Sequence, residues 1–568
     1  MTEPSKPVFR SALAGLGGLG GLTLWALSDP LRELDLAHPI VLGLWALCVS
    51  FFVSAMTAMG PLAVRKALAA GAMVSVPVAL LVTLASLRFE TLEATLRNGH
   101  LIIATVLLIS LALPFVICAL RDGRWRDYAA LFDTSWRLVV HFTAASIFAG
   151  LCWATLALSG VLLDLVGITV IEDFVDEPVF VFVFTGLVLG LGLAVIFELS
   201  DYISPYLVLS LLRLLLIPLA IIVMVFLLAL PFRGLSNLFD TLSPALVMMA
   251  TAIGLISLIS VAVEREDEDA VTGPVMSTVT RFACVLLVVL TALAVYAVAL
   301  RVLDYGWTPP RFAAFFIAAV TLAYGMTYAV TVLRGPDWMV RIRRANVGLA
   351  LGVMAALALC MTPLVNPQNL SAKSQLARFE SGQITADQLP FRQMERDWGK
   401  AGAAAFAALS DSDDPQVQTA LAAVATDPGS EEARLAASIA LLRERILVRP
   451  EDLSFPHAAF AQLSPWQLDE VRRICLPDAE DVPPRCLLVQ GDFLTAQDGL
   501  EYALFLNTLA DRPLVYWLSE TRFLLRQQPR VDMTGAALIA QMLDEGFVIA
   551  PADINALRVG DMTFNPFN

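Results

Sequence analysis

Eleven apolar runs, each set off by a short polar break, fill the first two thirds of the chain: residues 9–28, 40–59, 69–87, 101–120, 138–165, 179–199, 207–230, 245–263, 282–303, 312–333 and 347–365. Each approaches the roughly 20 residues that a helix needs to cross a hydrocarbon core. Only a helix or a closed barrel satisfies every backbone group there. The pattern predicts an all-α polytopic membrane bundle of about 11 transmembrane helices, with a Gly-rich first span and a fifth long enough to begin as an interfacial helix.

After residue 365 the texture changes. Asp411-Ser-Asp-Asp-Pro supplies an N-cap cluster with proline near the first helical position, followed by Val417, Leu421 and Val424 at helical spacing. Asp427-Pro-Gly-Ser-Glu-Glu opens a second helix with Leu435, Ile439, Leu442 and Ile446 on one face. Farther on, Leu487-Leu-Val-Gln, Tyr502-Ala-Leu-Phe-Leu and Leu514-Val-Tyr-Trp-Leu read as short strands between Gly-Asp and Asp-Arg-Pro breaks. The expected organisation is a transmembrane domain over 1–365, a helical extracytoplasmic segment over 366–450 and a small C-terminal soluble α+β domain over 451–568.

Composition agrees with a membrane protein: 58% of residues are apolar, 16% are charged, and the mean hydropathy is +0.72. The net charge of −14 belongs mostly to the tail, where 17 basic residues face 28 acidic ones from Asn366 onward. A tail of that sign excludes nucleic acid as a partner, because phosphate binding needs a concentrated basic surface.

Basic loops are retained in the cytoplasm. With the N-terminus inside, the cytoplasmic loops hold fifteen Lys and Arg and the opposite loops six. The N-terminus is therefore expected in the cytoplasm and the C-terminal domain in the periplasm of a bacterial inner membrane. Lys6 and Arg10 ahead of the first run also fit a secretory signal, but its length and the lack of a small-x-small site before Asp29-Pro30 favour an uncleaved helix. Gly17 and Gly21 have the spacing that lets two membrane helices approach closely, and packing within one chain is preferred to a dimer face; Pro114, Pro218 and Gly186-x-x-x-Gly190, which could break or thin helices, read as kinks and packing sites.

Five of the seven cysteines lie in apolar runs; Cys475 and Cys486 alone lie in the tail, and a disulfide between them is expected in an oxidising compartment. The segment from Arg121 to Arg137 reads as an interfacial helix anchored by Trp and Arg. The run Glu264-Arg-Glu-Asp-Glu-Asp269 reads as solvated surface.

Ionisable residues near the bilayer centre mark most membrane sites, and here Asp164, Glu198, Arg213 and Arg301 all fall near predicted helix ends. The four histidines (His38, His100, His141 and His457) have no partners at ligand spacing, so no metal site and no cofactor is expected, and His141 reads as a satisfied interfacial residue. No phosphate loop, nucleophile elbow or zincin motif is present. The densest polar cluster beside the bilayer is Arg301-Val-Leu-Asp-Tyr-Gly-Trp-Thr-Pro-Pro-Arg311. Two readings stand. In one, Asp304 pairs with an arginine, the prolines start a helix, and Tyr305 and Trp307 anchor at headgroup level. In the other, Arg301 and Arg311 hold an anionic lipid with Tyr305 as a hydroxyl donor.

The motif Asp304-Tyr-Gly-Trp-Thr-Pro-Pro-Arg311, together with Phe391-Arg-Gln-Met-Glu-Arg-Asp-Trp-Gly-Lys-Ala-Gly-Ala-Ala-Ala-Phe406, resembles a bacterial membrane family catalogued as domain of unknown function 4153. The resemblance spans residues 1 to about 410. It implies a polytopic membrane protein and brings no activity with it. The expected function is a non-enzymatic envelope component that binds membrane lipids or, through its periplasmic tail, a protein partner; a transporter and a lipid-modifying enzyme of the outer leaflet are the alternatives.

Overall fold

The computed structural model describes residues 6–28, 36–166, 168, 170–199, 205–233, 244–268, 270–271, 273–426, 431–450, 455–461, 463, 465–475, 486–491, 493, 501–506, 514–519, 523–527, 535–544, 546–547, 557–559 and 562–564. The chain divides into two compact units, residues 1–417 and 418–568. The stretch 366–417 thus belongs to the helical unit, and the division lies upstream of residue 451.

Eleven helices are long and apolar enough to cross a membrane. They are α1 (Lys6–Ser28), α2 (His38–Ala58), α3 (Val64–Ser86), α5 (Gly99–Asp122), α6 (Tyr128–Asp164), α8 (Pro178–Glu198), α9 (Pro205–Arg233), α10 (Pro244–Val263), α11 (Pro274–Tyr305), α12 (Pro309–Leu333) and α13 (Trp338–Met361). Short α4 (Leu92–Leu96) and α7 (Val170–Val175) lie in two of the loops. Proline opens α8, α11 and α12, where a missing N–H costs nothing. Pro114 and Pro218 lie inside uninterrupted α5 and α9.

Two apolar cores hold the bundle. One joins α1, α2, α3, α5, α6 and α8, the other joins α9 to α12, and α13 serves both, with Leu357 and Met361 in the first and Trp338 and Ile342 in the second. Helix α1 docks on α8 through glycines. A Cβ built on Gly17 would fall on the carbonyl oxygen of Gly186, and one built on Gly186 would fall on that of Gly17. Gly21 stands in the same relation to Phe182, and Gly190 to Leu13. Both glycine pairs therefore serve packing within the chain.

Three expectations for the polar breaks need correction. No separate helix covers 121–137: α5 ends at Asp122, Gly123 turns with φ +74°, and α6 runs unbroken from Tyr128. Trp136 packs beside Phe132, Leu209 and Val261 instead of standing free as an anchor. Glu264 is 1% exposed and pairs with Arg213, because α10 ends one residue earlier and folds the side chain inward; Glu266, Asp267 and Glu268 remain exposed. The last span begins at Trp338 instead of residue 347, which puts Arg343 inside a helix and only 7% exposed.

Pro367 starts a helix as well as following one. In α14 (Pro367–Glu380), Asn366 caps the N-terminus by accepting from the backbone of Gln368 and Asn369. Helices α15 (Phe391–Arg396), α16 (Gly399–Ser410) and α17 (Pro415–Thr426) follow, and the expected cap before α17 is present, with the Gln416 N–H donating to Asp414 at 2.8 Å.

In the second unit, α18 (Glu431–Arg445) presents Ile439 and Leu442 to a core, as expected; its opening residues 427–430 lie outside the described residues, as does the Asp29-Pro30 site. Strand β1 (Leu447–Arg449) runs parallel to β2 (Cys486–Gly491), and β3 (Glu501–Leu506), β4 (Leu514–Ser519) and β5 (Phe523–Gln527) continue antiparallel in the order β1-β2-β3-β4-β5. One face carries Leu488, Leu504 and Tyr516 against α18, α19 (His457–Ala461) and α20 (Pro465–Cys475). The other carries Leu487, Val489 and Val515 against Ile539 of α21 (Gly535–Asp544). A sheet covered on both faces explains why β2 and β3 read as continuous apolar runs. Strands β6 (Leu557–Val559) and β7 (Met562–Phe564) form a separate hairpin. Cys475 and Cys486 are joined as a disulfide, with Cα atoms 5.3 Å apart.

Candidate functional site

The 301–311 hinge is the junction of α11 and α12. A helix leaves its last four carbonyls without intrahelical donors, and those of α11 are met almost entirely by side chains. Arg378 donates to the carbonyls of Leu303 (2.9 Å) and Asp304 (2.6 Å), and Gln375 to those of Tyr305 (2.9 Å) and Trp307 (3.1 Å). Arg311 donates through Nη1 to the carbonyls of Tyr305 (2.9 Å) and Gly306 (2.8 Å). Two cations at a helix C-terminus also complement its dipole.

Gly306 has φ +73°, and a Cβ there would meet Arg378 at 2.7 Å and Gln375 at 2.8 Å, so both conformation and space call for glycine. Thr308 then caps α12 by accepting from the Arg311 N–H at 3.4 Å. The clamp comes from α14, about seventy residues downstream.

Of the residues singled out in the sequence, Arg311 and Tyr305 meet, the guanidinium lying 5.4 Å from the ring centroid. Trp307 packs edge-on to Phe315. The side chains of Arg301 and Asp304 are exposed and make no ion pair among the described residues, so the expected Asp304–Arg pair does not form; the donors from α14 occupy the backbone instead.

Arg378→Ala is expected to orphan two carbonyls at the end of α11 and to cost about 1.5–3 kcal/mol, the range for bonds to charged donors. Thermal unfolding of the purified protein measures this, and an unchanged midpoint would refute the clamp.

Beside the hinge, the loop between α3 and α5 builds the rest of the site. Arg88 turns inward and donates through Nη2 to the carbonyls of Cys360 (2.7 Å), Thr362 (2.6 Å) and Val365 (3.1 Å), tying that loop to the end of α13. Burial pushes its guanidinium below its ordinary pKa, a cost that the three acceptors offset.

Two adjoining cavities result. The first, about 190 Å³, is apolar and walled by Ala104, Leu107, Phe312, Phe316, Leu357 and Met361, with Ile103, 60% exposed, at its edge. The second, about 430 Å³, is lined by Arg97, Thr308, Arg311, Gln393 and Asp397. Asn98, His100 and Pro309 line both, and His100 Nδ1 lies 3.2 Å from Asn98 Oδ1.

Arg97 is paired with Glu93 at 2.7 Å, while Asp397 is exposed without a salt bridge among the described residues. Among the described residues no group of three His, Cys, Asp or Glu is placed to hold a metal ion.

Arg88, Arg97, His100, Gln375 and Arg378 do not stand out as site residues in the sequence. A usable signal was present for three of them: residues 88–100 hold two Arg, two Glu and one His, a polar density comparable to that of the hinge. Comparison with protein-family models, curated proteins and solved structures finds no match.

Proposed function

We propose that this polytopic membrane protein is a non-enzymatic envelope component that binds a phospholipid at the hinge. The observation that carries the reading is that an apolar and a polar cavity lie side by side, sharing Asn98, His100 and Pro309 as a common wall. An apolar cavity beside the exposed Ile103 suits an acyl chain, and the adjoining polar cavity presents Arg311 to a phosphate, with Arg97, which also pairs with Glu93, as a second cation beside it. Nη1 of Arg311 is committed to the hinge backbone, and no hydrogen bond among the described residues uses the rest of its fork.

The excess of basic residues on the opposite loops supports placing this face on the periplasmic side of a bacterial inner membrane, and the Cys475–Cys486 bridge supports an oxidising compartment for the tail. The hinge motif and the segment 391–406 support membership of the domain-of-unknown-function family named above.

The test is the phospholipid retained per mole of protein after exchange into a neutral detergent. Ala104→Trp, which fills the apolar cavity, and Arg97→Gln, which removes a phosphate donor away from the clamp, are each expected to cut retention at least fivefold while leaving the unfolding midpoint near that of the wild type. Wild-type protein free of phospholipid, or both variants retaining as much as the wild type, would overturn the reading.

A further inference from the structure

On the face opposite the hinge, a small pocket of about 90 Å³ lies among the α2–α3 turn, the end of α5, the first turns of α6 and the end of α8. Its polar lining is Arg121, Thr134, Arg137 and His141. The volume is several times the roughly 10–15 Å³ that one water requires on the same measure.

His141 is the unexpected member. It sits nearly four turns into α6, is 5% exposed, and its ring packs edge-on to Phe197 with centroids 5.5 Å apart. No hydrogen bond reaches its ring nitrogens among the described residues, contrary to the expectation of a satisfied interfacial histidine. A buried imidazole is rarely left unbonded.

Arg137 is exposed and makes no ion pair among the described residues. Arg121 spends Nε on Asp122 at 2.8 Å, which leaves its terminal nitrogens for another acceptor. Thr134 keeps its hydroxyl 3.4 Å from Cys118 Sγ, and no carboxylate lines the pocket.

We infer that this pocket binds a phosphate group, held between the two guanidiniums at its mouth and the imidazole at its floor. Cationic donors converge on this space, and the one acid beside them, Asp122, is shared between Arg121 and Arg124 and does not line the pocket, an arrangement that suits a tetrahedral oxyanion. The group belongs to a lipid headgroup of this leaflet or to a soluble phosphate.

Full-length protein in neutral detergent separates the two sources. One arm titrates inorganic phosphate and follows binding by ³¹P line broadening. The other adds phosphatidylglycerol in mixed micelles and counts adducts by native mass spectrometry, in an Ala104→Trp background so that lipid at the hinge does not enter the count.

Arg137→Gln and His141→Gln are each expected to weaken binding at least tenfold in one arm or both; loss in the lipid arm identifies a headgroup and loss in the phosphate arm a free anion. Arg137 is exposed, so its variant is expected to unfold at the wild-type midpoint, which separates lost binding from lost fold. Wild-type protein that binds neither probe, or variants that bind both as the wild type does, would overturn the inference.

Discussion

Gly186→Leu is expected to detach α1 from α8 and to remove the folded monomer from detergent extracts. The crossing brings the backbones so close that a Cβ on either Gly17 or Gly186 would fall on the carbonyl oxygen of the other. Overpacking a side-chain core costs about 1–3 kcal/mol because side chains can shift. Here the obstacle is backbone on both sides, so relief requires moving a whole helix, and the cost should reach about 3 kcal/mol or more. Gly21 facing Phe182 and Gly190 facing Leu13 extend the contact, so neither helix can tilt away locally. Gly15→Ala is the control, since nothing lies within 4 Å of a Cβ at that position; it should be neutral or stabilise by up to about 1 kcal/mol. Size-exclusion profiles and thermal unfolding decide the matter, and a Gly186→Leu protein that elutes and melts like the wild type would show that the crossing does not hold α1.

The membrane helices were legible because an apolar run long enough to cross a bilayer is a strong one-dimensional signal, and the glycine pairs were legible as packing devices because their spacing selects one helix face. What they pack against was not legible, since Gly17 and Gly186 are far apart in the chain. Helix ends were misjudged where charge continues a helix: Arg341, Arg343 and Arg344 look like loop, yet all belong to α13. Strands β2, β3 and β4 could be read from their apolar runs, whereas β1, three residues long, exists only because β2 pairs with it. The hinge stood out as a polar cluster, but its role as the end of α11 depends on Arg378 and Gln375, whose local sequence is that of an ordinary amphipathic helix. The cleft beside it needed three distant segments at once.

On the opposite face the same device recurs at the end of α10. Arg343 reaches from α13 and donates to the carbonyls of Val263 (2.8 Å) and Glu264 (3.0 Å) and to the carboxylate of Asp267 (2.7 Å), while Glu264 itself turns inward to Arg213. Glu264 holds φ +51°, a conformation that costs a side-chain-bearing residue on the order of 1–3 kcal/mol and persists only where its surroundings impose it. Arg343→Ala removes one of the two arginines that hold Glu264, orphans two carbonyls at the end of α10 and leaves the Arg213–Glu264 pair without its neighbour. The expected loss is about 3 kcal/mol, from two buried carbonyl bonds to a charged donor at about 1.5 kcal/mol each, the exposed Asp267 carboxylate adding little, and it should appear as a lowered unfolding midpoint with faster amide exchange over residues 258–264. Exposed Arg344→Ala, one position along, should be neutral. Arg343→Lys separates charge from shape: an ammonium keeps the cation at the helix end but has no planar fork to span three acceptors. If the fork is what matters, lysine recovers little of the loss; full recovery by lysine would mean that the charge alone stabilises the end of α10.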